Sequence, residues 1–452
     1  MIKIFFKNFD TRFENRINYV LNFLEQHPLL EKKLKFSRDA NLDFDIQCHY
    51  GTSEKRGFFI PSQQLIFSTS LNKNDHKLIA NRYSSPSTDL YSVESVSKES
   101  TRFIEKKEFQ FDLIETIFFH ISRIEEWRCE DTQLDQWDAM RSEEQFLVKY
   151  QLHQIPVVDR IVYAFSKALG VQHSASNSVF KITHDIDAIT YKPTFFSSLR
   201  ASIGILLRGR GWKSVIRTWT SYLTNRKNKY DTFDWLLSNS SAFEKSIYFL
   251  VDGATEYDTP FDLGSERMKT IFLLCKERNY QIGIHPSYNC WKDEKMFKSE
   301  KEKLENLINT PIDISRQHYL HFDFKTTPRI LDQQPIKEDS TLGFNDRIGF
   351  RCGTGFGYHL YDFENERPFK FIETPLVFMD SAFLNETNYD LEKTTQLWRT
   401  FLDKNKLNTK ITFNFHNTRF HDAKIHGIPL KKWYLALLSS NHDAVDHSNT
   451  AL

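Results

Sequence analysis

Cysteine is scarce in this chain of 452 residues: Cys48, Cys129, Cys275, Cys290 and Cys352 are scattered, odd in number, and contain no Cys-x-x-Cys pair. That pattern argues against a disulfide framework and against a cysteine zinc site. Charge of one sign is equally missing, because 60 Lys and Arg stand against 59 Asp and Glu, a net charge of +1. No global field therefore gathers nucleic acid or an anionic membrane. No apolar run approaches the length that spans a bilayer; residues 203–207 lie beside a basic stretch but are far too short. The opening residues, MIKIFFKNFDTRFENR, reach charged side chains too soon for a secretory signal. Together these absences predict a protein of the reducing cytoplasm with no membrane span. Internal repeats and low-complexity tracts are lacking as well. The glycine-rich stretch Gly353-Thr354-Gly355-Phe356-Gly357 has no following lysine, so it is not a phosphate-binding loop.

What is present is an ordinary globular composition, 40% hydrophobic and 26% charged, in a length that suggests two domains. Aromatic residues reach 15%, with 40 Phe, which points first to aromatic-rich cores and only secondarily to sugar-stacking platforms. Residues 11–27 carry apolar positions at helical spacing, and strand-like runs follow near 34, 45, 57 and 65. Residues 84–101 are Ser-rich and read as a loop. A long amphipathic helix is expected over 109–128, and a second, opened by Pro156, runs through Ala168. Residues 1–172 thus read as an α/β module without a chemical constellation. Its role is not legible.

From residue 179 onward, strands and helices alternate. Strands are expected at 179–184, 246–251, 280–284, 347–351, 369–377 and 410–415, with helices in 196–227, at 264–277 and at 293–308. Such alternation indicates a parallel β/α architecture, in which sites gather beyond the C-terminal ends of the strands. Residues 441–452 read as a flexible tail.

The strand at 179–184 runs into His184-Asp185-Ile186-Asp187. Ending an apolar strand in three ionisable side chains is costly unless it opens into a site. In extended chain Asp185 and Asp187 project to the same side, and two such carboxylates repel unless a metal or a shared proton lies between them. Ionisable groups recur at later strand ends: His285, Arg316 and His318, Arg351, and His416. One polar strand end is commonplace, and each histidine alone is as readily a packed side chain as a ligand. The repetition is what points to a site.

Taken together, Thr183-His184-Asp185-Ile186-Asp187, Ile284-His285-Pro286-Ser287-Tyr288 and Ser315-Arg316-Gln317-His318 resemble the polysaccharide deacetylases of carbohydrate esterase family 4, the NodB-type domain. The resemblance covers roughly residues 176–440 and looks most like a divergent bacterial branch with an extra N-terminal domain. It implies an α/β fold, an irregular and often seven-stranded β/α barrel preceded by a smaller α/β domain. It also implies a divalent metal, most often zinc, and an N-acetylated sugar or polysaccharide as substrate, with removal of an N-acetyl or O-acetyl group. Carried over residue by residue, Asp185 is the catalytic base and Asp187 a metal ligand. His285 is a second ligand, Arg316 orients Asp185, and His416 is the general acid. Four positions after His285 the family has a second histidine, whereas this chain has Asn289, a poor zinc ligand. His318 is the expected substitute, with His184 behind it. Arg351, Tyr288 and Tyr319 are candidates for binding substrate, and Phe356 and Tyr358 for stacking on it.

Two other readings stand beside this one. A metal-dependent glycosyltransferase also places Asp-x-Asp after a strand, but leaves the His285 and His318 strand ends unexplained. A non-catalytic glycan-binding relative is prompted by Asn289.

Overall fold

The computed structural model describes residues 1–8, 13–51, 57–62, 104–105, 108–109, 111–171, 176–189, 199, 202–203, 206, 212–224, 230–239, 243–253, 255–259, 261–420, 424–425 and 428–439. The expected strand near 65, the Ser-rich loop at 84–101, most of residues 196–211 and the tail at 441–452 lie outside them.

The first part of the chain builds a six-stranded sheet from β1 (Ile2–Asn8), β2 (Leu34–Ser37), β3 (Ile46–Tyr50), β4 (Phe58–Ile60), β5 (Ile104–Glu105) and β6 (Glu108–Phe109), in the order β2-β1-β3-β4-β6-β5. The helix Glu14–Gln26 buries Ile17, Val20, Leu21 and Leu24, the i, i+3, i+4, i+7 stripe of an amphipathic helix. It packs on the helix Leu113–Ile121, whose nine residues are all buried. Asp112 caps that second helix, accepting from the Glu115 amide at 2.9 Å. The single helix expected over 109–128 is in fact two pieces, because Arg123 adopts a left-handed φ of 54° between Leu113–Ile121 and Ile124–Trp127. The break turns the fully buried Arg123 guanidinium onto Glu125 and Glu126, at 3.0 and 2.5 Å.

The larger sheet has nine strands: β7 (Val179–Ile186), β8 (Glu244–Leu250), β9 (Gln281–His285), β10 (Ile314–Ser315), β11 (Glu338–Asp339), β12 (Tyr358–Asp362), β13 (Arg367–Glu373), β14 (Phe378–Met379) and β15 (Lys410–His416). Their order is β12-β13-β11-β10-β9-β8-β7-β15-β14, and every pairing is parallel except β12 with β13. The protein is thus a mixed α/β protein with parallel sheets. β7 lies inside the sheet, between β8 and β15, and is buried from Lys181 onward, as a parallel strand covered on both faces must be. On its neighbour β15, Ile411, Phe413 and Phe415 are almost wholly removed from water, each burial contributing about 1.5–3 kcal/mol.

The strand expected at 347–351 does not form. Gly349 there has φ +146°, and a Cβ at that position would meet the His153 carbonyl at 2.4 Å. The amides of Gly349 and Phe350 instead bond the carbonyls of Val377 and His153, at 2.9 and 2.7 Å. This segment therefore serves as a seam between the two sheets' structural units. Along the same seam Arg16 pairs with Glu366 at 2.6 Å, and Asp159 accepts from Thr354, Gly355 and Thr409. One apolar cluster runs from Ile4 through Phe371 and joins both units. All five cysteines are free. Among the described residues no helix is long and apolar enough to cross a membrane.

Candidate metal and acid–base site

Because β7, β9, β10, β14 and β15 run parallel, their C-terminal ends open on one side of the sheet. There a cavity of about 350 Å³ is lined by Asp185, Asp187, His285, His318, Tyr319 and His416 among others. The period-two expectation holds at β7. Asp185 and Asp187 both face the cavity, while His184 points the other way into an aromatic box with Tyr434 and Phe420. His184 bonds the Phe415 carbonyl and the Tyr434 hydroxyl, at 3.1 and 3.2 Å. Burial pushes its imidazole down to about 4, and with both ring nitrogens engaged away from the cavity it is a packed histidine and not a reserve ligand.

Asp185 is held on both oxygens. Arg316 donates to Oδ1 at 2.9 Å and the Asn414 amide to Oδ2 at 2.7 Å. Burial alone would raise this carboxyl, but Arg316, then His285 and His416, outweigh it and hold it below the usual range. Arg316 is itself fully buried. It also donates to the Thr183 hydroxyl, to the carbonyl and hydroxyl of Ser340, and lies over the Tyr248 ring at 4.5 Å.

Asp187, His285 and His318 each offer one ligand atom within 4.8 Å of the others. The Nδ1 of His285 faces the Arg316 carbonyl at 2.6 Å, and the Nδ1 of His318 faces Asp258 Oδ1 at 3.1 Å. With Nδ1 engaged as a donor, each ring is left its Nε2 lone pair for the cavity, the arrangement by which ligand histidines are oriented. His285 Nε2 lies 3.5 Å from Asp187 Oδ1, a buried oxygen with no hydrogen-bond partner among the described residues. An ionised oxygen buried without a donor is costly unless a cation supplies the missing charge. One carboxylate and two imidazoles with space beside them fit a divalent cation of the zinc class. Burial would push the Asp187 carboxyl up, but His416, His285 and His318 hold it far below the usual range. Asn289, one 3-10 turn beyond His285, does not line the cavity, and His318 stands in the cluster instead.

His416 ends β15 opposite Asp185 in register. Its Nδ1 lies 2.6 Å from Asp380 Oδ1, and its Nε2 is 4.0 and 3.9 Å from Asp185 and Asp187. Burial lowers its pKa, but Asp380 first, then Asp187 and Asp185, raise it to about 9.

Four residues expected at the substrate are placed elsewhere. Arg351 is buried against Glu126, and its NH1 donates to the Gly343 carbonyl at 2.8 Å, so it is a seam residue and does not face the cavity. It therefore does not serve the expected substrate-binding role, because the carboxylate that holds it, Glu126, lies away from the cavity. Phe356 and Tyr358 are buried on the same side, against His27 and Phe23. Tyr288 stands one layer behind the cavity wall, with its ring 4.4 Å from that of Tyr257. Tyr319 lines the cavity directly.

Sequence reasoning missed Asp258, Asp380, Asn414 and Trp137. Asn414 sits two residues before His416 and shares its face, and Asp380 directly follows β14, so both carried the strand-end signal. Asp258 lies in an irregular loop and carried none.

A family model described as a family of unknown function (DUF7033) matches residues 7–174. Among solved structures, one described as "putative polysaccharide deacetylase from Mycobacterium smegmatis" is 14% identical, with a TM-score of 0.35, over 61% of this chain and 87% of that one. No curated protein matches the chain. Neither likeness assigns an activity.

Proposed function

We propose that the chain is a metal-dependent hydrolase that removes an N-acetyl, or O-acetyl, group from a sugar or polysaccharide, in the manner of the polysaccharide deacetylases. In this reading residues 176–440 form the catalytic unit, its strand row curving as the irregular barrel of those proteins, and residues 1–172 form a separate unit packed on it. The observation that carries the reading is the meeting of Asp187, His285 and His318, from three different strand ends, around one space. A glycosyltransferase using Asp-x-Asp alone gives no reason for the two histidines or for Asp258 behind one of them.

A divalent cation held by Asp187, His285 and His318, zinc being the best match, would supply Lewis acidity to the acetyl carbonyl and to the attacking water. Asp185, kept ionised by Arg316, takes a proton from that water as it attacks the carbonyl carbon. His416, kept protonated by Asp380, gives its Nε2 proton to the departing amine as the C–N bond breaks. Two neighbouring groups are thus held in opposite protonation states near neutral pH, the requirement for a base and an acid in one site.

The test is acetate release from N-acetylglucosamine oligomers by the zinc-loaded protein, its Asp185→Asn variant and its His416→Gln variant. Acetate from the wild-type protein, reduced at least about a hundredfold in each variant, is expected. Equal release from Asp185→Asn and wild type would sink the reading.

A further inference from the structure

The residues between the helices Ile124–Trp127 and Val157–Ala168 belong to the first unit, yet they reach the mouth of the cavity. They form a turn braced from within. The Asp135 amide bonds the Ala139 carbonyl at 2.7 Å, and the Asp135 carboxylate accepts from the amides of Trp137 and Ala139 at 2.8 and 3.1 Å. Leu134 and Met140 are bridged, and the Ser142 hydroxyl ties the turn to Asp346 at 2.6 Å. What the turn presents is Trp137, half-buried in the cavity wall.

Trp137 meets Tyr319 in the cavity wall, ring centroids 6.2 Å apart and planes 31° apart. Tyr319 and Leu320 are consecutive residues in the left-handed region, φ 58° and 54°, a conformation that residues bearing side chains adopt only when their surroundings impose it. The Asn345 amide holds the Tyr319 carbonyl at 3.0 Å. Tyr257 completes the set, 5.5 Å from Tyr319. Aromatic rings most often meet because they share a core. Here Tyr257 and Tyr319 are each 37% exposed, and all three rings line the same cavity. Their spacings are direct ring contacts, leaving no slot for a sugar between them, so they form one continuous wall.

We propose that Trp137, Tyr319 and Tyr257 form a stacking subsite for a second pyranose ring, next to the ring that enters the Asp187–His285–His318 pocket. The first unit then takes part in substrate binding and sets the preference for chain length through Trp137. This rests on the proposed function for the identity of the sugar, and its test is built to fail separately.

Calorimetric titration with N-acetylglucosamine oligomers of one to six units compares the full-length protein with Trp137→Ala and Trp137→Phe. Affinity should rise from monomer to trimer in the wild type. Trp137→Ala should lose about tenfold on the trimer and little on the monomer, while Trp137→Phe keeps most of the trimer affinity. Equal losses on monomer and trimer, no loss, or no binding of any oligomer by the wild type overturns the subsite. Acetate release is followed in the same samples. Undiminished trimer hydrolysis by Trp137→Ala overturns the subsite and leaves the hydrolase reading intact. Length-dependent binding that needs Trp137, with no acetate released by any protein, supports the subsite while the hydrolase reading falls.

Discussion

The Nδ1 of His416 lies 2.6 Å from the Oδ1 of Asp380, a wholly buried residue whose Oδ2 accepts the His416 amide at 3.0 Å. Asp380 is buried away from water beside the imidazole, so the pair favours the imidazolium. The proton this pair holds is the one the proposed reaction needs at its end.

Replacing Asp380 by Asn should bring the His416 pKa down from about 9 toward its ordinary value. A histidine whose pKa is raised on folding stabilises the fold fully below its unfolded pKa, and that stability is lost as pH rises through about 9. Asp380→Asn should therefore destabilise the metal-free protein more at pH 6 than at pH 10, by a few kcal/mol at the lower pH. Histidine NMR titration and urea unfolding at the two pH values measure both effects. An unchanged His416 titration would refute the pairing.

Asp258 orients His318 from behind. Its replacement by Ala should weaken zinc binding by about 10–100-fold without removing a ligand. Removing a ligand, as in His318→Ala or Asp187→Ala, should cost more. Competition titration against a zinc chelator ranks the three variants, and an Asp258→Ala affinity equal to wild type would count against the cluster as a metal site.

Arg316, wholly buried, neutralises Asp185, whose carboxylate is buried at the floor of the cavity. Arg316→Met should destabilise by about 3–5 kcal/mol, since it strands a buried carboxylate. Arg316→Lys should recover little, because an ammonium cannot reach Asp185, Thr183 and Ser340 at once as the guanidinium fork does. Chemical denaturation of both variants gives the comparison.

Arg351 and Glu126 join the two units, together with Arg123, whose NH1 donates to the Arg351 carbonyl at 2.6 Å. Arg351→Met should cost about 1.5–3 kcal/mol by removing the charged hydrogen bonds that Arg351 donates to Glu126, which keeps Arg123. The double change with Glu126→Leu should cost much less than the sum of the two single changes. A double-mutant cycle by unfolding measures this coupling, and additivity would show that the pair is not a unit.

Local pattern determined a good deal here. The alternation along β7 put Asp185 and Asp187 on one face and His184 on the other. The ends of β9 and β15 were readable because an apolar run stopped at a histidine. The parallel architecture followed from strands alternating with helices. These are properties of a few neighbouring residues, and the chain's own periodicity carries them.

Tertiary structure decided the rest. That His318 and not Asn289 completes the cluster depends on how β10 lies beside β9, a pairing of distant segments. That Arg351 serves the seam depends on Glu126, 225 residues away, and on Gly349 admitting the His153 carbonyl where a strand was expected. Asp258 and Trp137 reach the site from irregular loops, where no periodicity fixes the direction of a side chain. A sequence specifies which charges exist and which face of an element they share. Which of them come to neutralise one another is settled only when the elements pack, because a buried charge takes whatever partner the fold brings within reach.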